Sequence, residues 1–274
     1  MPSSAVMKER PLKTNAAPDP RSHRRKIVKE RAICMTQERP HDSRVPANFF
    51  ARLAVGADCA YILSVSAKFV RPCIPTTTKA IPRGDDWLHE PKLDGYRFQI
   101  VKDGRLLRLH SKSGSDWTKR LSLLAEALAA IRCKSAVIDS ELVFPTSEGH
   151  PDFRALQAAI GDRSRHHQLA VFAFDLLHCN GTDLRAKPLI ERRLQLTELV
   201  AARSVPCLHL VQGFDNGDKL FKAAEQHGLE GIVSKRVTSA YQSGPSRDWV
   251  KIKTAGWREA NRERWRLLEK RQGG

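Results

Sequence analysis

Between Trp87 and Lys253, short strand-like runs outnumber helical ones and alternate with them in no regular order, which leaves few architectures open. A doubly wound sheet needs regular alternation, so this pattern predicts an α+β arrangement of antiparallel sheets flanked by helices. Phe69 to Pro75 is an extended, proline-marked lead-in, and Trp87 to Pro91 reads as a strand. Tyr96 to Val101 and Arg105 to His110 flank Asp103-Gly104, a favoured hairpin pair. Leu121, Leu124, Leu128 and Ile131 recur at helical spacing. Strands are expected at Ala136 to Phe144, Leu169 to Leu177 (interrupted by Asp175), Leu208 to Gln212, Glu230 to Lys235 and Trp249 to Lys253. Helices are expected at Phe153 to Ile160, Pro188 to Ala201 and Asp218 to His227, with Gly161 and Gly228 closing the first and third. Neither Gly-x-Gly-x-x-Gly nor a P-loop occurs, so neither usual phosphate loop is available.

A chain of 274 residues with 41% apolar composition supports one substantial core plus an extension. Its formal net charge of +17 points to a polyanionic partner, with nucleic acid favoured over a membrane surface. The most apolar stretch, Ala47 to Val70, is broken by Arg52, Asp58 and Lys68 and so offers no transmembrane span. Met1 to Pro46 lacks the apolar run of a signal peptide. Cys34, Cys59, Cys73, Cys133, Cys179 and Cys207 show neither a Cys-x-x-Cys pair nor ligand-like spacing, which reads as reduced thiols in a cytosolic protein. Residues 1–46 are basic and poor in large apolar groups, hence expected to be disordered. They are a basic arm on a phosphate backbone, a solvated tail, or untranslated sequence before a start at Met35. Residues 47–68 allow a short helix, 69–256 form the folded domain, and 257–274 read as one basic helix carrying Trp257, Trp265, Leu267 and Leu268.

The chemistry centres on Glu90-Pro91-Lys92-Leu93-Asp94-Gly95-Tyr96-Arg97. A lysine amine is nucleophilic only when neutral, which cationic neighbours or desolvation favour, and Lys251 and Lys253 are candidate neighbours. Ordered islands follow: Ser111-Lys112-Ser113-Gly114, Asp139-Ser140-Glu141-Leu142-Val143, Phe172-Ala173-Phe174-Asp175-Leu176-Leu177, Glu230-Gly231-Ile232-Val233-Ser234-Lys235 and Trp249-Val250-Lys251-Ile252-Lys253. Glu141 and Glu230 fall on apolar strands, where a lone carboxylate is costly unless paired or bound to a metal.

Together these islands, from about Phe69 to Trp257, resemble the nucleotidyltransferase signature of ATP-dependent DNA ligases, most closely the short bacterial ligases related to the ligase domain of the end-joining enzyme. The resemblance implies an ATP-grasp-like adenylation domain that seals nicked double-stranded DNA in repair or recombination. Lys92 is then the residue that carries AMP, with Lys251 and Lys253 neutralising the α-phosphate. The same resemblance implies that Phe174 stacks on adenine and Glu90 reads its exocyclic amine, while Arg97 and Lys112 meet the ribose and the nick phosphate. Asp94, Gly95 and Lys235 complete the nucleotide site, and Glu141 and Glu230 contact the ribose or a divalent cation, for which Mg²⁺ suits oxygen ligands and phosphates.

The island at Ser111 departs from the family's Ser/Thr-Arg-Asn-Gly. Lys112 keeps the charge but loses the bidentate fork, which weakens contacts there. The 20 residues after Thr254 are too few for the five-stranded OB fold of the wider family. An OB-fold or DNA-end-binding protein acting in trans is therefore expected, in a cytoplasmic, nucleoid-associated setting. Two other readings stay open. RNA ligases and capping enzymes share the lysine chemistry, though Phe174-Asp175-Leu176-Leu177 followed by Asn180-Gly181 favours the DNA branch. A non-catalytic DNA-binding relic would be expected to lose Lys92 or a metal carboxylate, and both are present. The basic excess makes one prediction: DNA affinity falls steeply with salt, and deleting Met1 to Pro46 flattens the slope of log affinity against log salt. An unchanged slope would make that segment a spectator.

Overall fold

The computed structural model describes residues 67–262, and the expected features of residues 1–66 and 263–274 lie outside them. Two sheets face each other across a cleft. Sheet I is built from β1 (Cys73–Thr77), β2 (Trp87–Lys92), β9 (Gly231–Arg236) and β10 (Gly244–Lys253), in the order β1-β10-β9-β2. Sheet II is built from β3 (Tyr96–Asp103), β4 (Leu106–Ser111), β5 (Ser135–Val143), β6 (Ala170–Cys179) and β7 (Thr182–Asp183), in the order β4-β3-β5-β6-β7, with β8 (Leu208–Leu210) beside β6. The helices are α1 (Ser122–Leu128), α2 (Phe153–Gly161), α3 (Leu189–Ala201), α4 (Gly217–Gln226) and α5 (Ala255–Ala260), with a 3₁₀ turn at Arg163–Gln168.

Strand alternation decides what each face does. On β3, Phe98 and Ile100 enter the main core with Leu121, Leu124 and Leu128 around α1, Ile138 and Leu142 of β5, and Leu156 of α2. Val101, one position out of phase with them, belongs to a second cluster with Val137, Leu177, Tyr241 and Trp249, which Phe174 also packs against. On sheet I the face away from the cleft buries Ile232 and Ile252 against Leu220 and Ala224 of α4. Residues two apart on a strand share a face, so β3, β5, β9 and β10 each serve a core with one set of side chains and the cleft with the other.

The expected α+β architecture is present, with two corrections. Each sheet carries one parallel pair, β1 with β10 and β8 with β6, so both sheets are mixed. In addition, β10 begins at Gly244, five residues before the expected Trp249. Gly-Pro-Ser-Arg-Asp has almost no strand propensity, and pairing of Cys73 with Gly244 through Pro75 with Ser246 draws it into the sheet.

Asp175, which the sequence left unexplained, is buried and forked by Arg192 of α3, whose Nε and Nη2 donate to its two carboxylate oxygens at 2.8 Å each. Arg192 Nη1 also donates to the Ser239 carbonyl at 2.9 Å, so one guanidinium ties α3, β6 and the loop before β10. Removing one member of a buried pair strands the other charge. Arg192→Met should therefore lower the unfolding free energy by about 3–5 kcal/mol in denaturant titrations. The control Arg185→Met, which breaks the half-exposed pair to Asp183, should cost about 1 kcal/mol or less.

Candidate active site

The cleft encloses about 780 Å³. From sheet I, β2 contributes Glu90 and Lys92, β9 contributes Val233 and Lys235, and β10 contributes Trp249 and Lys251, each pair two residues apart. From sheet II come Arg97, Glu141 and Phe174, with Lys112 and Ser113 from the turn after β4. Phe174 is the extra residue of a β-bulge: Asp139 stands opposite Asp175 and Ser140 opposite Ala173, and such bulges re-aim a side chain.

Lys92 on β2 and Lys253 on β10 both stand opposite Gly231 of the intervening β9. Glu230 immediately precedes that glycine and is buried, with Oε2 2.8 Å from Lys92 Nζ and Oε1 2.9 Å from Lys253 Nζ. A Cβ on Gly231 would lie 1.9 Å from the Ile252 carbonyl oxygen, and its φ is 151°, so only glycine lets β9 start this close to β10. Gly95 is confined in the same way, since its Cβ would stand 2.2 Å from the Leu142 carbonyl oxygen. Burial pushes the Lys251 amine below the usual range, and neighbouring Lys92, Lys253 and Lys112 push it the same way against Glu230. Burial lowers Lys253 too, opposed by its contact with Glu230.

Deeper in the cleft, Glu90 is buried between Lys235 Nζ at 2.6 Å and Arg193 Nη1 at 3.1 Å. The Arg193 contact is an ion pair without hydrogen-bond alignment, which leaves Glu90 Oε1 buried and able to accept. Lys235 Nζ stands 4.3 Å from the ring centre of Phe174 and 4.2 Å from that of Trp249. Burial pushes its amine down while Glu90 opposes.

Nine of the twelve residues singled out in the sequence line the cleft: Glu90, Lys92, Gly95, Arg97, Lys112, Glu141, Phe174, Lys235 and Lys251. Asp94, Glu230 and Lys253 do not. Glu230 and Lys253 reach it through Lys92, whereas Asp94 accepts from the Trp257 indole Nε1 at 3.2 Å. Arg97 differs most from expectation. Its Nε and Nη2 donate to Asp139 at 3.0 and 2.7 Å and its Nη1 to the Cys73 carbonyl at 2.6 Å, so its fork is already filled by protein. Lys92 also differs, because its close partner is the carboxylate of Glu230 in addition to the expected cations.

Sequence reasoning missed Asp139, Arg193 and Tyr241, and gave no role to Trp249 or Arg71, which line the cleft. Asp139 was findable, since it alternates with Glu141 on one strand. Tyr241, which donates to Asp139 Oδ2 at 2.5 Å and accepts from the Cys73 amide at 3.0 Å, left no local signal.

Among the described residues no cluster of three or more His, Cys, Asp or Glu side chains forms a metal site. Glu141 nevertheless fits a cation. Burial, with Glu230 and Asp139 adding to it, pushes its carboxyl up to about 7 against Lys92 and Arg97, although its tip reaches the cleft. A carboxylate left this short of positive charge suits Mg²⁺, which takes one or two carboxylates and completes its shell with water and substrate phosphates. Glu230 is less available, because a lysine already occupies each oxygen.

A lysine-lined cleft between two mixed sheets, walled by an aromatic and buried carboxylates, defines an adenylation domain of the nucleotidyltransferase class. Residues 67–253 match the family model for the ATP dependent DNA ligase domain. The chain is 38% identical over 188 residues to the multifunctional non-homologous end joining protein LigD of Pseudomonas aeruginosa, covering 68% of this chain and 22% of that protein. The crystal structure of the ligase domain of Mycobacterium tuberculosis LigD superposes with a TM-score of 0.59 at 32% identity, over 70% of this chain and 61% of that one. A mycobacterial DNA ligase D complexed with ATP and MES gives 0.57 at 33% identity, over 66% and 59%. The chain belongs to the ATP-dependent DNA ligase domain family, and it spans about a quarter or less of the length of the first curated relatives it matches.

The pKa of Glu141 gives a pH prediction. A carboxyl raised from 4.5 to about 7 binds its proton more tightly folded than unfolded. Its contribution to stability is present in full below pH 4.5 and is lost as pH rises to about 7. The denaturant midpoint of the wild-type chain should therefore fall relative to Glu141→Gln across that window. A constant difference between the two would contradict the assignment.

Proposed function

We propose that this chain transfers AMP from ATP to Lys92 and uses that adduct to seal nicks in duplex DNA. The observation that carries the reading is Lys92 on the cleft wall, paired with Glu230 and accompanied by Lys251 and Lys253. In the first step Lys92 passes a proton to the Glu230 carboxylate it is paired with, and the neutral amine attacks the α-phosphorus. The N–P bond forms, the P–O bond to pyrophosphate breaks, and Lys251 and Lys253 meet the charge that develops on the phosphoryl oxygens. Phe174, half-buried on the cleft wall, offers a ring surface to the base, and Glu90 accepts from its exocyclic amine. Mg²⁺ would be held by Glu141 together with phosphate oxygens and would supply charge neutralisation there. AMP then passes to the 5′ phosphate of a nick, and the 3′ hydroxyl displaces it.

Nicked duplex DNA as acceptor is supported by the exposed cations Arg71 and Lys112, which line the cleft and have no carboxylate partner among the described residues. An OB-fold or DNA-end-binding protein acting in trans, at the nucleoid in the cytoplasm, belongs to the same proposal. Such a partner would speed labelling and sealing more than it speeds sealing of nicks that already carry AMP.

Lys92→Ala should fold and take up no AMP. Glu230→Ala and Lys253→Ala should each slow adenylyl transfer by about 10² or more at saturating ATP and Mg²⁺, the scale of losing one preorganised electrostatic group. Transfer at near wild-type rates would return either residue to a structural role. Sealing RNA in preference to DNA, or using GTP in preference to ATP, would move the chain to the RNA ligase or capping branch.

A further inference from the structure

Four residues beyond the segment that matches the family model, Trp257 is buried in the short helix that follows β10. That helix is welded to the Glu230 turn. Thr254, buried, donates through Oγ1 to the Leu229 carbonyl at 2.8 Å and through its backbone amide to the Glu230 carbonyl at 3.0 Å. The same hydroxyl caps the helix by accepting from the Trp257 amide. The tryptophan is thus fixed from behind, and its two functional surfaces are both spent on the site. Its indole Nε1 donates to Asp94 Oδ2 at 3.2 Å, in the turn that carries Lys92 from β2 into β3. Its ring face lies 4.3 Å from Lys253 Nζ, the ammonium that shares Glu230 with Lys92.

We propose that Trp257 is a positioning residue for adenylyl transfer: its indole N–H fixes the nucleophile's turn through Asp94 while its ring holds Lys253 against Glu230. The inference rests on the reading of Lys92 as the nucleophile. A hydrogen bond and a cation–π contact from one rigid side chain set the separation of two groups that must converge on a single phosphorus. A core tryptophan that only filled space would need neither contact. The expected consequence of losing the N–H is a nucleophile less often in line, with nucleotide affinity little changed.

The test is single-turnover self-adenylylation of the full chain at varied ATP with Mg²⁺, recording rate constant, amplitude and apparent ATP affinity, with thermal unfolding alongside. Trp257→Phe keeps a ring over Lys253 and removes the donor. It should slow the rate constant by about 10-fold to 10²-fold, with full amplitude and apparent affinity within about twofold. Asp94→Ala removes the same bond from its other end, and Trp257→Phe should cause little further slowing in that background. Three results would overturn the proposal: an unchanged rate constant in Trp257→Phe, slowing that multiplies in full with that of Asp94→Ala, or a fall in amplitude and melting temperature with the rate constant preserved. Absence of labelling in the wild-type chain would instead remove the function on which the proposal rests.

Discussion

One buried carboxylate between two lysines organises this cleft. Glu230 can hold both because Lys92 and Lys253 are register partners of the same residue, Gly231, from opposite sides. A buried charge of either sign is costly alone, so the three side chains stabilise one another's burial and hold the strands at a fixed spacing. The arrangement depends on a glycine that no other residue can replace at that approach, and on Thr254, which anchors the next turn to the Glu230 backbone. What is ready in this structure is the alignment of charges. Lys92, the proposed nucleophile, is engaged with Glu230 and would have to exchange that carboxylate for phosphate.

The same logic recurs around the cleft. Arg97 is forked by Asp139, which Tyr241 also holds, and the Arg97 guanidinium lies 5.2 Å from the Phe174 ring centre. Glu90 joins Lys235 of β9 to Arg193 of α3, whose Nη2 donates to the Val211 carbonyl at 2.6 Å. Asp175 and Arg192 fix the strand that aims Phe174. Each network joins elements distant in sequence, and a site whose dipoles are held before substrate arrives has little reorganisation left to do at the moment of reaction. Charges that would be liabilities in a plain core therefore serve as its struts.

Much of this was legible in the sequence, for reasons that differ by element. The strand character of Trp87 to Pro91, Glu230 to Lys235 and Trp249 to Lys253 is a local property and was legible, and the period of two in the folded strands then puts Val233 with Lys235 and Trp249 with Lys251 on the cleft side. Turn glycines at Gly104, Gly161 and Gly228 marked element ends for the same reason. The first half of β10 was illegible because Gly244 to Asp248 is recruited by a parallel partner about 170 residues away, against its own propensity. The protein partners of Arg97 and Glu230 were illegible, because Asp139 lies 42 residues on from the first and Lys92 lies 138 residues back from the second. Local pattern reveals which residues carry charge and which face they occupy; long-range pairing decides what neutralises them.

The central claim is that this cleft makes one particular lysine the nucleophile although Lys251 and Lys253 lie beside it. The most direct measurement is intact-protein mass after incubation of the full chain with ATP and Mg²⁺, followed by peptide mapping of any adduct under conditions that preserve an N–P bond. The account predicts a single AMP, on the peptide that contains Lys92. No adduct, or an adduct on Lys251 or Lys253, would contradict it.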